Sequence, residues 1–456
     1  MKNLMNYKLL LIILIGIYHS CFAIEVTIPK GYKDKLSAII FNLDTNKIEY
    51  SYNPDVPRLI ASNMKLLTTQ VVLNNIPSDY RYVTQIQYTG KITNNTLTGD
   101  LYIVGSGDPT LSRNNLVKLL NQVKIKHIIG NIYIDNSVFN SYPKYSMLKE
   151  EQYDPDTVLP DGLMIDEHLS KFTLHTKNSI NVTSNLYGYK IDNKLIINPK
   201  LKYCSHNINN DINLVVSGNT IIISGEIAKQ CDNHHLIYNL LPADKYNIMA
   251  IKYALNQLNI GYTGNIEYKK TPANSMLLSS IKSVKLSKII NKMNKTSNNL
   301  YAETLLLTLS SYLTDNTNSY ANAKYIYESY IKNNDIYNTE FKLENGAGLS
   351  RVEKLSALNL LNMLIIAYNS DTFQVFFDSL PIAGQDGTLI KRFIKLGKKV
   401  RFKTGTLNDV SSYSGYFYTK KYHYAVVFTA NSIDTTHNKD PKIFNLWVNN
   451  LLNKLN

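Results

Sequence analysis

The chain has 456 residues and a formal net charge of +14, with 44% hydrophobic and 18% charged residues. This length allows two or three domains with real cores, and the composition excludes a disordered chain. The lysines are scattered along the sequence, so we expect no nucleic-acid partner. Attraction to an anionic cell-wall polymer and a merely solubilising surface charge both remain open.

Residues 1–23 carry the pattern of a secretory signal peptide, which is not part of the fold. Two lysines precede an apolar run over residues 9–18, and residues 21–23 resemble an Ala-x-Ala cleavage site. The run is too short for an ordinary membrane-spanning helix, although a lipoprotein at Cys21 and an uncleaved anchor stay open. We therefore expect a chain that is secreted across the inner membrane into the periplasm.

Two cysteines, Cys204 and Cys231, remain after removal of the signal peptide. An even pair in an oxidising compartment suggests a disulfide. Two free, buried thiols are the alternative that the sequence leaves open.

The mature chain opens with a predicted β-hairpin and a predicted helix. Residues 37–43 form a short β-like run. After a turn, residues 48–52 show strand-like alternation and would form the returning strand of the hairpin. After two prolines, a helix is predicted over residues 62–75, and its inward face consists of Met64, Leu67, Val71 and Val72. A nucleophile at the start of a buried helix gains from the helix dipole and from the free amides there.

Residues 81 to about 270 change character and predict a large β-rich insertion. Its predicted strands are 82–88, 100–104, 128–135, 179–185, 187–197 and 212–228, and residues 111–123 look helical. Both mature cysteines lie in or beside the later strands. We expect an inserted region over residues 86–269. Within it, we expect an α/β subdomain from residues 86–165 and 240–269, and a nested β-rich subdomain over residues 166–239.

The flanking segments, residues 24–85 and 270–456, predict one catalytic α/β domain. Helices are expected to return from about residue 277, and their predicted ranges are 281–293, 300–313, 320–333 and 356–368. Strands are predicted at 400–404, 412–418 and 422–429. A single antiparallel sheet built from these strands and the first hairpin would be flanked by helices and split by the insertion.

Pro441 opens a last predicted helix, whose apolar positions are Phe444, Trp447, Val448, Leu451 and Leu455. Such a helix could lie on a membrane surface. Packing on the sheet is favoured because the polar side of the helix is not especially basic. Peripheral membrane contact is therefore allowed but not required.

Three short motifs follow one another in the order that serine acyl transfer needs. Ser62 and Lys65 form Ser-x-x-Lys, which places a hydroxyl and an amine one helical turn apart, about 4.5 Å along the axis. Ser297 and Asn299 form Ser-x-Asn, and residues 403–406 read Lys-Thr-Gly-Thr. Each motif alone has an ordinary structural explanation, such as a helix cap or a solvated charge. The three together indicate a nucleophilic serine that is activated by an amine instead of a histidine.

These motifs resemble those of the serine acyl-transferases that bind penicillin, and in particular the class C low-molecular-mass penicillin-binding proteins. The resemblance is carried by the stretches MNKTSNNLYAE at 293–303, GDLYIVGSGDPTL at 99–111 and GAGLSR at 346–351. That family consists of D-alanyl-D-alanine carboxypeptidases and endopeptidases. The resemblance covers nearly the whole mature chain, and it implies a penicillin-binding transpeptidase-like (β-lactamase-like) fold with a large insertion between the first and second motifs.

The family and the chemistry assign the same roles to the motif residues. Ser62 would attack a terminal D-Ala-D-Ala bond, and Lys65 would take its proton once burial and a nearby cation, expected to be Lys403, have lowered its pKa. Ser297 would relay a proton to the leaving amine. The substrate would be bound by Asn299, Lys403, Thr404, Gly405 and Thr406, and the amides of Ser62 and Thr406 would form the oxyanion hole.

The chain departs from the family at three positions and matches it only loosely over residues 153–168, and these departures put substrate preference in doubt more than the acylation chemistry. Asn298 stands where Asp is common, and Asn345 and Ala347 stand where the family often has Asp and Ser. The expected activity is trimming of peptidoglycan peptides through an acyl-serine, without cofactor or metal, with β-lactams as covalent inhibitors. A β-lactamase with fast deacylation and a non-catalytic cell-wall scaffold are the alternatives.

Overall fold

The computed structural model describes residues 24, 26–142, 153–177, 179–205, 208–314, 318–336, 341–435 and 439–456. The predicted signal peptide lies outside the described residues. The strands of the described residues, in chain order, are β1 Leu36–Asn42, β2 Lys47–Tyr52, β3 Arg58–Leu59, β4 Val83–Tyr88, β5 Lys91–Thr93, β6 Thr96–Thr98, β7 Leu101–Val104, β8 His127–Ile129, β9 Ile132–Asp135, β10 Ser170–His175, β11 Asn181–Ser184, β12 Lys190–Ile197, β13 Ile212–Ser217, β14 Thr220–Ile227, β15 His235–Tyr238, β16 Gly261–Tyr262, β17 Ile266–Tyr268, β18 Met276–Lys282, β19 Lys354–Leu355, β20 Val400–Leu407, β21 Val410–Tyr418 and β22 His423–Asn431.

The α-helices of the same residues are α1 Met64–Asn75, α2 Arg113–Asn121, α3 Ile208–Asp211, α4 Ala243–Gln257, α5 Leu286–Thr296, α6 Asn299–Leu313, α7 Ser319–Asn333, α8 Ala357–Tyr368, α9 Phe373–Ser379 and α10 Lys439–Leu455. None of these helices is long and apolar enough to cross a membrane.

A five-stranded antiparallel sheet joins the two ends of the chain, in the order β2-β1-β22-β21-β20. Strand β1 is buried along its whole length, because both faces of the sheet are covered. Ile39 and Phe41 point into one core, while Ala38 and Ile40 point into the other. The predicted single sheet from both chain ends is therefore confirmed.

Helices cover both faces of this sheet. Helices α1, α5, α6, α7, α8 and α9 contribute to one core, and α10 packs on the opposite face. Trp447 of α10 lies edge-on to Tyr50 and Phe428, with ring centroids 6.2 Å and 6.1 Å apart. The last helix thus packs on the sheet, as the sequence favoured.

Two predicted elements are wrong in their boundaries or type. The strand predicted over residues 128–135 is interrupted at Gly130, and its halves β8 and β9 pair in two different sheets. Residues 276–282 form strand β18 and not the start of a helix. Strand β18 pairs antiparallel with β4, and Ser279 donates to the carbonyl of Leu119, so long-range pairing overrides local helix propensity here.

The insertion carries four sheets: β17-β9-β7-β4-β18, β16-β8-β6-β5, β11-β10-β15 and β12-β14-β13. The last two share one hydrophobic core with residues of α4. Cys204 and Cys231 are joined there by a disulfide, with Cα atoms 5.0 Å apart. The boundaries predicted for the α/β subdomain and for the nested β-rich subdomain remain predictions.

Replacing both cysteines, as Cys204→Ser with Cys231→Ser, should destabilise this β-rich part of the insertion. The bond closes a loop with a sequence separation of 27 residues, for which chain entropy corresponds to about 3–4 kcal/mol. Chemical denaturation should show a loss of that order.

Labelling by penicillin should survive in the same double variant, because the disulfide lies in a core separate from that of the motif residues. Loss of labelling at temperatures where the variant is still folded would contradict this assignment of separate cores.

Candidate active site

Ser62 lies in a 3-10 turn, Ala61–Asn63, that leads directly into α1. The predicted helix start at residue 62 is therefore two residues early. Ala61 has a positive φ of 48°, and Gly348 packs against it so closely that a Cβ there would overlap the carbonyl of Ala61. The turn places the amine of Lys65 2.9 Å from the Ser62 hydroxyl oxygen.

The Lys65 amine is completely buried and is surrounded by three oxygens. Besides Ser62 Oγ, it contacts Asn299 Oδ1 at 2.7 Å and the carbonyl oxygen of Ala347 at 2.7 Å. The amide and carbonyl oxygens only accept hydrogen bonds, so they take two N–H groups. A neutral amine would then direct its lone pair at the Ser62 hydroxyl.

Burial is the main cause that lowers the pKa of Lys65, to about 7. The carboxylates of Glu303, Asp156 and Glu353 oppose this shift, in that order. Burial likewise raises the pKa of Glu303 to about 8. The pKa values of both buried groups are therefore shifted toward neutrality.

Burial lowers the pKa of Lys65, as expected, whereas Lys403 is not among the charged groups that shift it. Burial, and then the charge of Lys65, lower the pKa of Lys403 far below its ordinary value. Burial alone accounts for the lowered pKa of Lys65.

The second motif occupies the turn between α5 and α6. Ser297 has a left-handed backbone with φ of 58°, and Asn298 caps α6 by accepting from the backbone N–H of Tyr301 at 3.0 Å. Buried Lys403 donates to Ser297 Oγ at 2.9 Å and to the carbonyl of Thr404 at 2.7 Å. Asn299 gives its amide oxygen to Lys65, so only its NH₂ group can face a substrate.

The third motif lies on β20, the edge strand of the central sheet. Thr404 donates to the hydroxyl of Thr388 at 2.8 Å, and Thr406 is exposed. A Cβ at Gly405 would overlap Ser412 Oγ and lie 2.7 Å from the carbonyl oxygen of Ile60. The absence of a side chain at Gly405 therefore lets β20 lie against the turn that carries Ser62.

The structure brings further residues to the site that sequence reasoning did not assign. Thr388 belongs to none of the three motifs, yet it accepts a hydrogen bond from Thr404. Glu303 lies at the end of the stretch 293–303, but residue spacing does not predict that it accepts a hydrogen bond from the Gly346 amide. Asp156 and Glu167 come from the insertion, and no local signal placed them here. Within the described residues, no group of three or more His, Cys, Asp or Glu side chains could hold a metal ion.

A serine next to a buried amine, a Ser-x-Asn turn and a Lys-Thr-Gly edge strand define a serine acyl-enzyme of the penicillin-binding class. The chain belongs to the D-Ala-D-Ala carboxypeptidase 3 (S13) family, whose sequence profile matches residues 24–447. The resemblance seen in the sequence is thereby confirmed.

Two relatives carry the activity of this family in their names. D-alanyl-D-alanine carboxypeptidase DacB of Haemophilus influenzae is 26% identical over 406 residues, which cover 85% of this chain and 83% of that protein. The D-alanyl-D-alanine carboxypeptidase of Actinomadura sp. (strain R39) is 25% identical over 409 residues, or 83% and 74% of the two chains.

Solved structures agree with the predicted fold class. Penicillin binding protein 4 (dacB) from Haemophilus influenzae has a TM-score of 0.78 at 24% identity, covering 94% of this chain and 97% of that one. The same protein complexed with a novel β-lactam has a TM-score of 0.75 at 25% identity, with the same coverage. The transpeptidase-like fold with its large insertion is therefore confirmed.

Gly405→Ala should slow acylation by labelled penicillin about 10- to 100-fold, because the added methyl group pushes β20 away from the Ser62 turn. It should also destabilise the protein by about 1–3 kcal/mol through overpacking. Stopped-flow labelling and thermal unfolding measure the two effects.

Adding Ser412→Ala to this variant removes the nearest clashing atom but leaves the carbonyl of Ile60 in place, so it should restore part of the lost rate. A wild-type acylation rate for Gly405→Ala alone would show that β20 does not need this close approach.

Proposed function

We propose that this serine-type D-Ala-D-Ala carboxypeptidase of the S13 family works through Ser62 as its nucleophile. The observation that carries the proposal is the contact between the buried Lys65 amine and Ser62 Oγ, 2.9 Å apart. An amine with a pKa of about 7 is neutral in part at physiological pH, and the neutral form can accept the hydroxyl proton. The enzyme binds penicillin because a β-lactam presents a strained amide to the same nucleophile.

In acylation, the Ser62 proton passes to Lys65 while Ser62 Oγ forms a bond with the carbonyl carbon of the penultimate D-Ala. The amides of Ser62 and Thr406 would hold the developing oxyanion, worth about 3–4 kcal/mol per donor. The C–N bond then breaks, and the proton passes by way of Ser297 to the amine of the departing D-Ala. Water afterwards hydrolyses the ester, which regenerates the Ser62 hydroxyl.

The terminal carboxylate of the substrate would lie near Lys403, Thr404 and Thr406. Lys403 is buried and its pKa is lowered, so an approaching carboxylate would favour the charged form of its amine and form an ion pair with it. The edge of β20 opposite β21 offers backbone groups along which an extended peptide can lie. Asn299 would donate its NH₂ group to the acyl side of the substrate.

We place the enzyme in the periplasm, where it would act on peptidoglycan peptides. The disulfide between Cys204 and Cys231 supports an oxidising compartment. Cleavage of peptide cross-links needs the same acylation step, and a digest of purified cell wall would separate the two activities. Free D-Ala reports carboxypeptidase activity, and separated dimers report endopeptidase activity.

Ser62→Ala should abolish covalent labelling by penicillin and release of D-Ala from a muropeptide, because no oxygen nucleophile remains. Intact-mass analysis should locate the wild-type adduct on Ser62, and the adduct should last far longer than seconds. Ser217→Ala, at an exposed serine of β13 in the insertion, should behave like the wild type.

Unchanged D-Ala release from Ser62→Ala would place the nucleophile elsewhere. Turnover of the adduct within seconds would favour the β-lactamase alternative, and a wild-type protein that forms no adduct would favour the non-catalytic scaffold.

The acylation rate should fall about tenfold per pH unit below pH 7 and level off above it. Lys65 is active as the neutral amine, and protonation below its pKa of about 7 removes the base. Rates of penicillin labelling from about pH 5.5 to about pH 8.5 measure this limb. Recovery of the rate after return to neutral pH excludes acid unfolding, and a flat profile would rule out Lys65 as the base.

A further inference from the structure

Three consecutive residues of the insertion, Asp166, Glu167 and His168, have positive φ values of 51°, 59° and 53°. L-residues rarely adopt this backbone, and a run of three needs strong constraints from its surroundings. Arg113 supplies one constraint, because its Nε and Nη2 donate to the Asp166 carboxylate at 2.9 Å and 2.8 Å. His168 supplies another, since it is buried and its Nε2 lies 3.0 Å from Asn247 Oδ1.

This strained turn directs the Glu167 carboxylate at the second motif of the active site. Glu167 accepts from Lys292 Nζ of α5 at 2.7 Å, from the Tyr301 hydroxyl of α6 at 3.3 Å, and from Asn298 Nδ2 at 3.3 Å. Lys292 also donates to the Tyr301 hydroxyl at 2.7 Å. One carboxylate from the insertion therefore contacts both helices that flank Ser297 and the turn itself.

Asn298 uses both ends of its amide in this arrangement. Its Oδ1 caps α6 through Tyr301 N, and its Nδ2 donates to Glu167. An aspartate at this position could still cap the helix, but it would have no donor and would set a second carboxylate against Glu167. The family commonly has Asp at this position. The amide of Asn298 instead supplies the donor that the Glu167 carboxylate accepts.

We propose that Glu167 is a positioning residue for the acylation reaction, and that it forms a matched pair with Asn298 to hold the turn that carries Ser297. Ser297 is the residue before Asn298, so a contact that holds Asn298 also restrains the backbone of Ser297. The Ser297 hydroxyl in turn accepts a hydrogen bond from Lys403 at 2.9 Å. The inference rests on the proposed function, since it assigns Glu167 to the same acylation step. It also gives the insertion a part in positioning the second motif.

An exchange of the two side chains tests the pair. In Asn298→Asp two carboxylates face each other, so acylation by labelled penicillin should slow about tenfold. In Glu167→Gln the charged acceptor is lost, and we expect a slowing of about three- to fivefold. In the double variant Glu167→Gln with Asn298→Asp, the amide introduced at position 167 can donate to the carboxylate introduced at position 298. Its rate should return to within about twofold of the wild type.

The exchange conserves the local charge, because one carboxylate remains in both the wild type and the double variant. Recovery would therefore report the hydrogen-bond geometry and not the net charge. In steady-state assays with a D-Ala-D-Ala peptide, kcat should fall more than KM rises in the single variants, because Ser297 acts in proton transfer. Glu267→Gln, at an exposed glutamate of β17, serves as the matched control and should leave both parameters unchanged.

A wild-type acylation rate in Glu167→Gln would overturn the proposal. So would a double variant that is as slow as Asn298→Asp alone. If Asn298→Asp does not fold, Glu167→Gln alone still tests the proposal, because its effects on kcat and on KM are measured separately. Wild-type protein that forms no adduct on Ser62 would contradict the proposed function. An adduct on Ser62 together with a double variant that stays slow would contradict only this inference.

Discussion

The site depends on one buried amine. Lys65 is removed from water, and a charge in such a place is stable only if it is paired or if the group becomes neutral. Three oxygens from Ser62, Asn299 and Ala347 surround the amine, while burial lowers its pKa to about 7. Because these oxygens come from three distant parts of the chain, the base is formed only when the catalytic domain has folded completely.

The loop that supplies the Ala347 carbonyl is itself held by buried polar groups. Asn345 Oδ1 accepts from the backbone N–H groups of Ala347, Gly348 and Leu349 at 2.9–3.1 Å. An aspartate oxygen could accept the same bonds, so the change from Asp to Asn leaves the loop intact. Glu353 accepts from the amides of residues 344 and 345, and Glu303 accepts from Gly346. Two buried carboxyl groups thus fix the loop that holds the amine in place.

The sequence predicted the parts of the site that depend on local geometry. Ser62 and Lys65 meet because residues three apart lie on one helical face, and the central sheet follows from strand-like runs near both chain ends. It could not predict β18, whose strand conformation comes from pairing with β4 across the whole insertion. Nor could it place Glu167, because the contact with Asn298 spans 131 residues and rests on a backbone that local preference disfavours.

The insertion is attached to the catalytic domain by two strands that cross together. Tyr82 and Ser283 exchange hydrogen bonds at this crossing, from Tyr82 N to Ser283 Oγ and from Ser283 N to the Tyr82 carbonyl, both 3.0 Å long. Tyr82 also shares a 2.7 Å hydrogen bond with Thr308 of α6, the helix that begins at Asn299. A paired connection tied to α6 restrains the insertion more than a single flexible linker would. Insertion residues such as Glu167 can therefore be held against the second motif with the precision that proton transfer requires.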